Sequence, residues 1–313
     1  MNLNLTIERV APLNSSVKLY EFIATDGRPL PASTAGAHVS FVLADKFVRS
    51  YSLLDHDPSP KKYRVAVKKD ELGRGGSNWI HENWRPRSSV SGGIPANNFP
   101  LSENATHTVL IAGGIGITPI YSMYNRLLSL GRPCDLFICF RTANDAIFLE
   151  EFASHTNVHE HFDDEANCIF PIEDVLLRYG AEAHYYCCGP SPMLDAFQRS
   201  GAALQYPGEH LHLERFSSVH KKEINRPFLV TFARSNLTAL VSETQTIIDV
   251  ALAASIPVDF ICLEGVCGTC HTAVISGTPD HRDCVLSDAE RAQNDQMMIC
   301  CSRAISETLT LDM

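Results

Sequence analysis

From the N-terminus the chain alternates apolar and polar residues in short runs, at Leu3–Val10, His38–Leu43 and Tyr63–Val67, and stretches rich in Gly, Pro and Asp separate them at Thr25–Pro31 and Asp55–Pro60. A period of two marks half-buried strands. Short strands at this spacing predict an antiparallel β-barrel or sandwich extending to Pro100. From Thr108 the pattern changes: an apolar strand (Thr108–Ala112), a glycine turn, a helix-like run (Pro119–Leu130), a second strand (Cys134–Phe140), further helix, and a strand at His184–Cys188. Alternation of strand and helix predicts a parallel α/β sheet. The charged, aperiodic His220–Arg226 predicts a linker, and strand-like Phe228–Ala233 opens a third unit. The expected domains are therefore residues 1–102, 103–222 and 227–313.

With 313 residues, 45% of them hydrophobic and 20% charged, the chain has enough apolar material for several folded cores. Met1–Val10 lacks a basic start and a continuous apolar run, and no stretch approaches the roughly 20 apolar residues that a membrane span needs. A cytoplasmic location is the expectation. The net charge of −10 is unevenly placed, because residues 227–313 hold eleven acidic side chains against four arginines and no lysine, a net of −7. Such a surface repels nucleic acid and anionic membrane and would steer a basic partner, unless it serves only for solubility.

The strongest chemical signal is Cys262, Cys267 and Cys270, spaced C-x4-C-x2-C, with Cys300 following after 29 residues. That is the plant-type ligand spacing of a [2Fe-2S] cluster. Gly265 and Gly268 sit where the backbone must wrap the cluster closely, a position that favours positive φ. A structural zinc site is the nearest rival, but zinc frameworks usually present two C-x2-C pairs and one is here. The other cysteines, Cys134, Cys139, Cys168, Cys187, Cys188, Cys284 and Cys301, lie in segments that read as core or loop. In an extended chain neighbours point to opposite sides, so one of Cys300 and Cys301 faces the cluster, and the count to Ser302-Arg303-Ala304 favours Cys300.

Three further motifs suit anionic or aromatic ligands. Arg49-Ser50-Tyr51-Ser52 follows an apolar strand and precedes another short apolar step, Ala66-Val67-Lys68 comes later, and Gly73-Arg74-Gly75-Gly76-Ser77 stands where it can open a helix and offer N–H groups to a phosphate. The bland alternative is a surface turn with two solvated cations. Gly113-Gly114-Ile115-Gly116-Ile117-Thr118-Pro119 follows a strand directly, but Pro119 stands where the last glycine of the dinucleotide fingerprint belongs. Proline fits a first helical turn, so the diphosphate-binding physics survives. Cys188-Gly189-Pro190-Ser191-Pro192 repeats the arrangement, and two such turns on one sheet edge make a nucleotide crevice.

In this order the motifs resemble the phthalate dioxygenase reductase family, within the wider ferredoxin-NADP reductase superfamily, over essentially the whole chain. Asn97–Leu101, Glu214-Arg215-Phe216 and Asp280-His281-Arg282-Asp283 extend the likeness. The resemblance implies an FMN-binding β-barrel, an NAD-binding α/β domain and a C-terminal β-grasp ferredoxin domain, with FMN, NADH and a [2Fe-2S] cluster as cofactors and a Rieske-type oxygenase as electron acceptor. It puts Arg49, Tyr51 and Ser52 at the isoalloxazine and ribityl chain, with Ser52 hydrogen-bonded near N5. Ala66, Val67 and Lys68 edge the flavin, Gly75, Gly76 and Ser77 hold its phosphate, and Gly114, Gly116, Thr118 and Cys188 line the nicotinamide crevice, Cys188 packing against the ring. Cys262, Cys267, Cys270 and Cys300 are the metal ligands. His281 is expected as a brace beneath the cluster, and Asp145, beside Arg141, favours an unphosphorylated ribose and hence NADH. His155, His159 and His161 are expected around a loop. Two other readings stay open: a stand-alone NADH oxidase or diaphorase with a small acceptor, and a nonenzymatic iron–sulfur sensor, which predicts lost nucleotide-binding residues.

Overall fold

Residues 3–43, 48–71, 73, 75–216, 225–260, 263, 265 and 268–313 are described in a computed structural model, which divides into two units, Met1–Arg215 and Phe216–Met313. The first unit begins with β1 (Leu3–Pro12), β2 (Val17–Ala24), β3 (His38–Val42), β4 (Val48–Ser52), β5 (Tyr63–Lys68), α1 (Gly76–Asn83) and β6 (Ser89–Gly92). These strands pair antiparallel in the order β4-β3-β6-β1-β2-β5, and the outer strands β4 and β5 come back into contact, curling the sheet into a barrel. Alternation decides what each face buries. Tyr63, Val65 and Val67 of β5 join Leu5, Ile7, Tyr20, Phe22, Phe41 and Trp84 in the barrel core, while Ala66 faces away into a different cluster.

The same unit continues through β7 (Thr108–Gly113), α2 (Ile117–Ser129), β8 (Cys134–Phe140), α3 (Leu149–Phe152), β9 (Val158–Phe162), α4 (Asp163–Ala166), α5 (Ile172–Tyr179), β10 (His184–Cys188), α6 (Ser191–Ala203) and β11 (Leu211–Glu214). The sheet order is β11-β10-β7-β8-β9, every pair parallel. After β7 the chain moves to β8, yet β10 returns to the opposite side of β7. The order therefore reverses between β7 and β10, and in such sheets ligands bind at the strand ends beside that reversal. Here the loops leaving β7 and β10 carry the two glycine turns.

His159 and His161 lie on the edge strand β9, where a loop was expected. The sequence Val-His-Glu-His-Phe has no continuous apolar face because β9 pairs on one side alone. Pairing supplies what apolar patterning does not: His159 Nε2 stands 3.0 Å from an Asp135 carboxylate oxygen of β8, and its ring stacks on Phe137 at 4.6 Å.

The second unit holds β12 (Phe228–Phe232), β13 (Leu237–Val241), α7 (Ile247–Ala253), β14 (His271–Ser276), β15 (Pro279–Asp280), α8 (Asp288–Gln293), β16 (Gln296–Met298), β17 (Arg303–Ala304) and β18 (Thr308–Leu311). Its main sheet runs β13-β12-β18-β14-β16, with β12 and β18 parallel and the remaining pairs antiparallel. Helix α7 lays Ile247, Ile248, Val250 and Ala251 on this sheet and starts with a capping box in which Thr246 and Asp249 satisfy each other's N–H groups. A sheet with one helix packed on it is the β-grasp arrangement the family implies. Among the described residues no helix is long and apolar enough to cross a membrane.

Candidate functional site

Arg49 lies along the start of α1. A Cβ on Gly76 would stand 2.7 Å from its Nε and 3.0 Å from its Cγ, so glycine is what admits the guanidinium beside the first N–H groups of the helix. Gly75, the N-cap, has φ 81°, a left-handed conformation that glycine adopts at no steric cost. Ser77 Oγ accepts a 3.0 Å bond from the Asp70 N–H, closing the loop below. A cation, a glycine cradle and a helix N-terminus together fit a phosphate. Arg74, also expected near this loop, lies outside the described residues.

The other residues expected at the flavin lie on β4 and β5. Ser52 is buried at the end of β4, and the half-buried Tyr51 ring packs 6.3 Å from Phe41. On β5, Val67 is in the barrel core, Ala66 is buried on the opposite face and Lys68 is exposed. His81 of α1 donates from Nε2 to the Val67 carbonyl at 2.8 Å, tying the strand to the helix of the phosphate cradle, and burial lowers its pKa. Sequence reasoning passed over His81 because a lone histidine on a short helix carries no motif.

The two glycine turns meet. A Cβ on Gly116 would collide with the Cys188 carbonyl and stand 2.8 Å from the Gly189 nitrogen, while one on Gly113 would meet Met193 Sδ and Pro190 Cδ at 2.7 Å. Gly114 has φ 54°, and Thr118 Oγ1 donates to the Ile115 carbonyl at 3.0 Å, fixing the turn that leads into α2. Cys188 is fully buried and shares an apolar cluster with Ile117 and Ala66, so the flavin-side strand and the nucleotide turns contribute to one core. Burial pushes the Cys188 thiol well above its ordinary pKa, which suits a packing surface and excludes a base.

One carboxyl at this edge is buried and held above its ordinary pKa. Glu214 pairs with Cys188 across β10 and β11, its Oε2 is buried without a hydrogen-bond partner among the described residues, and burial raises its carboxyl to about 8. Nothing local signals this. Only the parallel register, 26 positions along the chain, brings the two side chains together.

In the second unit Cys270 and Cys300 are both buried thiols, and Cys262 and Cys267 lie outside the described residues. Gly265 and Gly268 have φ 68° and 76°, the positive values expected of them. Cys301 is buried as well, and its Sγ lies so close behind Gly265 that a Cβ there would overlap it. Asp283 braces this floor: its carboxylate accepts from the Val285 and Leu286 N–H groups at 3.0 and 2.8 Å, and Cys284 N–H donates to the Gly265 carbonyl at 2.8 Å. His281 Nδ1 is 3.9 Å from Asp283 Oδ1, and burial lowers its pKa. Buried thiols behind a left-handed glycine loop fit a cluster of thiolate-held iron.

Comparison with known proteins agrees with this geometry. Residues 110–199 match the oxidoreductase NAD-binding domain, and residues 230–304 match the 2Fe-2S iron-sulfur cluster binding domain. The chain is 40% identical over 311 residues to phenoxybenzoate dioxygenase subunit beta of Ectopseudomonas oleovorans, covering 99% of this chain and 97% of that one. It is 38% identical over 318 residues to tetrachlorobenzoquinone reductase of Sphingobium chlorophenolicum, covering 99% and 98%. Among solved structures, phthalate dioxygenase reductase superposes with a TM-score of 0.81 at 33% identity, over 100% of this chain and 98% of that one. With full-length identity above 30% and the same succession of folds, the chain belongs to the phthalate dioxygenase reductase family.

Proposed function

We propose that this protein is the reductase component of a two-component Rieske-type oxygenase or demethylase, drawing electrons from NADH and delivering them one at a time to the oxygenase. The observation that carries the reading is the meeting of Gly116 with the Cys188 carbonyl in a core shared with Ala66, because it sets a nucleotide crevice against the strand that edges the flavin. Bound, NADH supplies a hydride, FMN divides the electron pair, and the [2Fe-2S] cluster passes single electrons on.

The residues supply placement and electrostatics. Arg49, Gly75, Gly76 and Ser77 hold the FMN phosphate; Tyr51 and Ser52 contact the isoalloxazine and its ribityl chain, with Ser52 bonding near N5; Ala66, Val67 and Lys68 form the flavin's edge. Gly114, Gly116 and Thr118 let the dinucleotide approach the backbone, and Cys188 presents a neutral thiol surface to the nicotinamide. Cys262, Cys267, Cys270 and Cys300 hold the cluster, with Asp283 and His281 behind it. The domain limits we assign are 1–102 for FMN, 103–222 for NAD and 227–313 for the cluster, and the protein works in the cytoplasm.

The 38% identity to a chain named tetrachlorobenzoquinone reductase favours one alternative, a small quinone as terminal acceptor. NADH oxidation by the purified protein, measured with a Rieske-type oxygenase and separately with a substituted benzoquinone, decides between them. Coupled product formation with the oxygenase supports the proposal; turnover with the quinone alone, across a panel of oxygenases, replaces it with the second reading.

A further inference from the structure

The thioether of Met193 lies where the two glycine turns touch. Met193 stands in the first turn of α6, and its N–H donates to the Pro190 carbonyl at 3.0 Å. From there its Sδ covers both turns, for a Cβ on Gly113 would stand 2.7 Å from it and a Cβ on Gly189 2.8 Å. The two glycines are themselves in contact, since that Cβ on Gly189 would also be 3.1 Å from the Gly113 Cα. The sulfur therefore fills the space that a side chain at either position would need, at the point where the turn after β7 meets the turn after β10. On its other side Met193 is partly exposed, whereas Met123, Met297 and Met298 are buried. Among the described methionines Met313, in the second unit, is the other one that reaches the surface. A polarizable thioether open to solvent reacts readily with peroxide, and burial protects the rest.

We infer that Met193 is an oxidation site that shuts the nucleotide crevice: conversion of its thioether to the sulfoxide parts the two glycine turns and weakens the binding of NADH. Hydrogen peroxide is the oxidant. Its O–O bond breaks, one oxygen bonds to Sδ, the sulfur gives up two electrons, and the second oxygen leaves as water. Peroxide forms when oxygen takes two electrons and two protons from a reduced flavin that meets no acceptor, so the modification answers an electron supply that outruns demand. The sulfoxide is polar and larger at the sulfur, in a space already filled by contact with two glycines. Accommodating the oxygen either separates the turns or swings the side chain out of its seat. Both remove the backbone spacing that Gly114, Gly116 and Thr118 offer a dinucleotide. This inference rests on the crevice assignment made above.

The test uses the purified protein with its flavin and cluster, treated with graded hydrogen peroxide and then with dithiothreitol, which reverses sulfenic acids and disulfides at exposed cysteines such as Cys168. Peptide mass spectrometry counts the oxygen added at Met193 and at Met313, and the same samples are titrated calorimetrically with NAD. The expected result is an affinity that falls about tenfold in step with Met193 sulfoxide, as overpacking of a tight contact implies. Methionine sulfoxide reductases of both epimer specificities restore it, and oxidation of Met313 proceeds without effect on it. Met193→Leu, compared with itself before and after peroxide, keeps its affinity; if that variant fails to fold, repair of the oxidised wild-type protein decides alone. Met193 left unoxidised at doses that oxidise Met313, a Met193 sulfoxide that binds NAD as tightly as the thioether, or a loss that the reductases leave in place overturns the inference. Untreated protein that binds no NAD removes the crevice assignment itself, and the inference falls with it.

Discussion

Gly116 stands so close to the carbonyl of Cys188 that no side chain fits between them. The contact joins the turn after β7 to the turn after β10 at the point where strand order reverses, and Cys188 carries it into the core that includes Ala66.

Gly116→Ala therefore forces the two turns apart. The expected outcome is a loss of NAD affinity of tenfold or more, on the order of 1.4 kcal/mol, with flavin and iron contents unchanged because Arg49 and the cluster cysteines are elsewhere in the chain. Calorimetric titration of the oxidised protein with NAD measures it, and an unchanged affinity would show that the turns do not hold the nucleotide.

Glu214 makes stability depend on pH. Its folded carboxyl keeps the proton to about 8 while the unfolded chain releases it near 4.5, so between those values the unfolded state binds fewer protons. Stability from this group is present at low pH and declines as pH rises through that window. Glu214→Gln should raise the melting temperature at pH 8 by a few degrees and leave it nearly unchanged at pH 5. Equal effects at both values would mean that the carboxyl ionises normally in the fold.

Asp283 supports the cluster loop through two N–H bonds and its neighbour's contact with Gly265. Asp283→Ala leaves both donors unpaired, at about 1–3 kcal/mol each. Iron content per chain should fall and the [2Fe-2S] absorbance should bleach faster under urea, while flavin content stays level. Retention of iron and cluster lifetime at wild-type values would remove Asp283 from the support of the site.

Much of this arrangement was legible from the chain, and the exceptions share a cause. Gly116 and Gly265 announce themselves, because close approach and left-handed backbone demand glycine whatever the surroundings. Cys134–Phe140 and His184–Cys188 are strands at the limits their apolar runs predict. Ala66 and Cys188, by contrast, are 122 positions apart and come into one apolar core only in the folded chain. Glu214 has its carboxyl pKa raised because pairing of β10 and β11 buries it, and His159 sits on a strand because Asp135 and Phe137 receive it. Local demands on one residue are written in sequence, whereas demands created by pairing appear once the register is known.

The net charge of −7 on residues 227–313 bears on the partner. If it steers docking to a basic oxygenase surface, the bimolecular rate constant for reduction of the oxygenase should drop at least tenfold between about 0.01 and 0.15 M salt, as screening shortens from roughly 30 to 8 Å. A rate independent of salt would assign the charge to solubility alone.

Anaerobic titration of the purified protein with NADH tests whether electrons pass from NADH through FMN to a [2Fe-2S] cluster. Visible absorbance, low-temperature EPR and chromatography of the released flavin are recorded on the same sample. A bleached flavin band, the signal of a reduced [2Fe-2S] cluster and FMN in the extract are the expected result. A cluster that NADH leaves oxidised, or an extract without flavin, would contradict it.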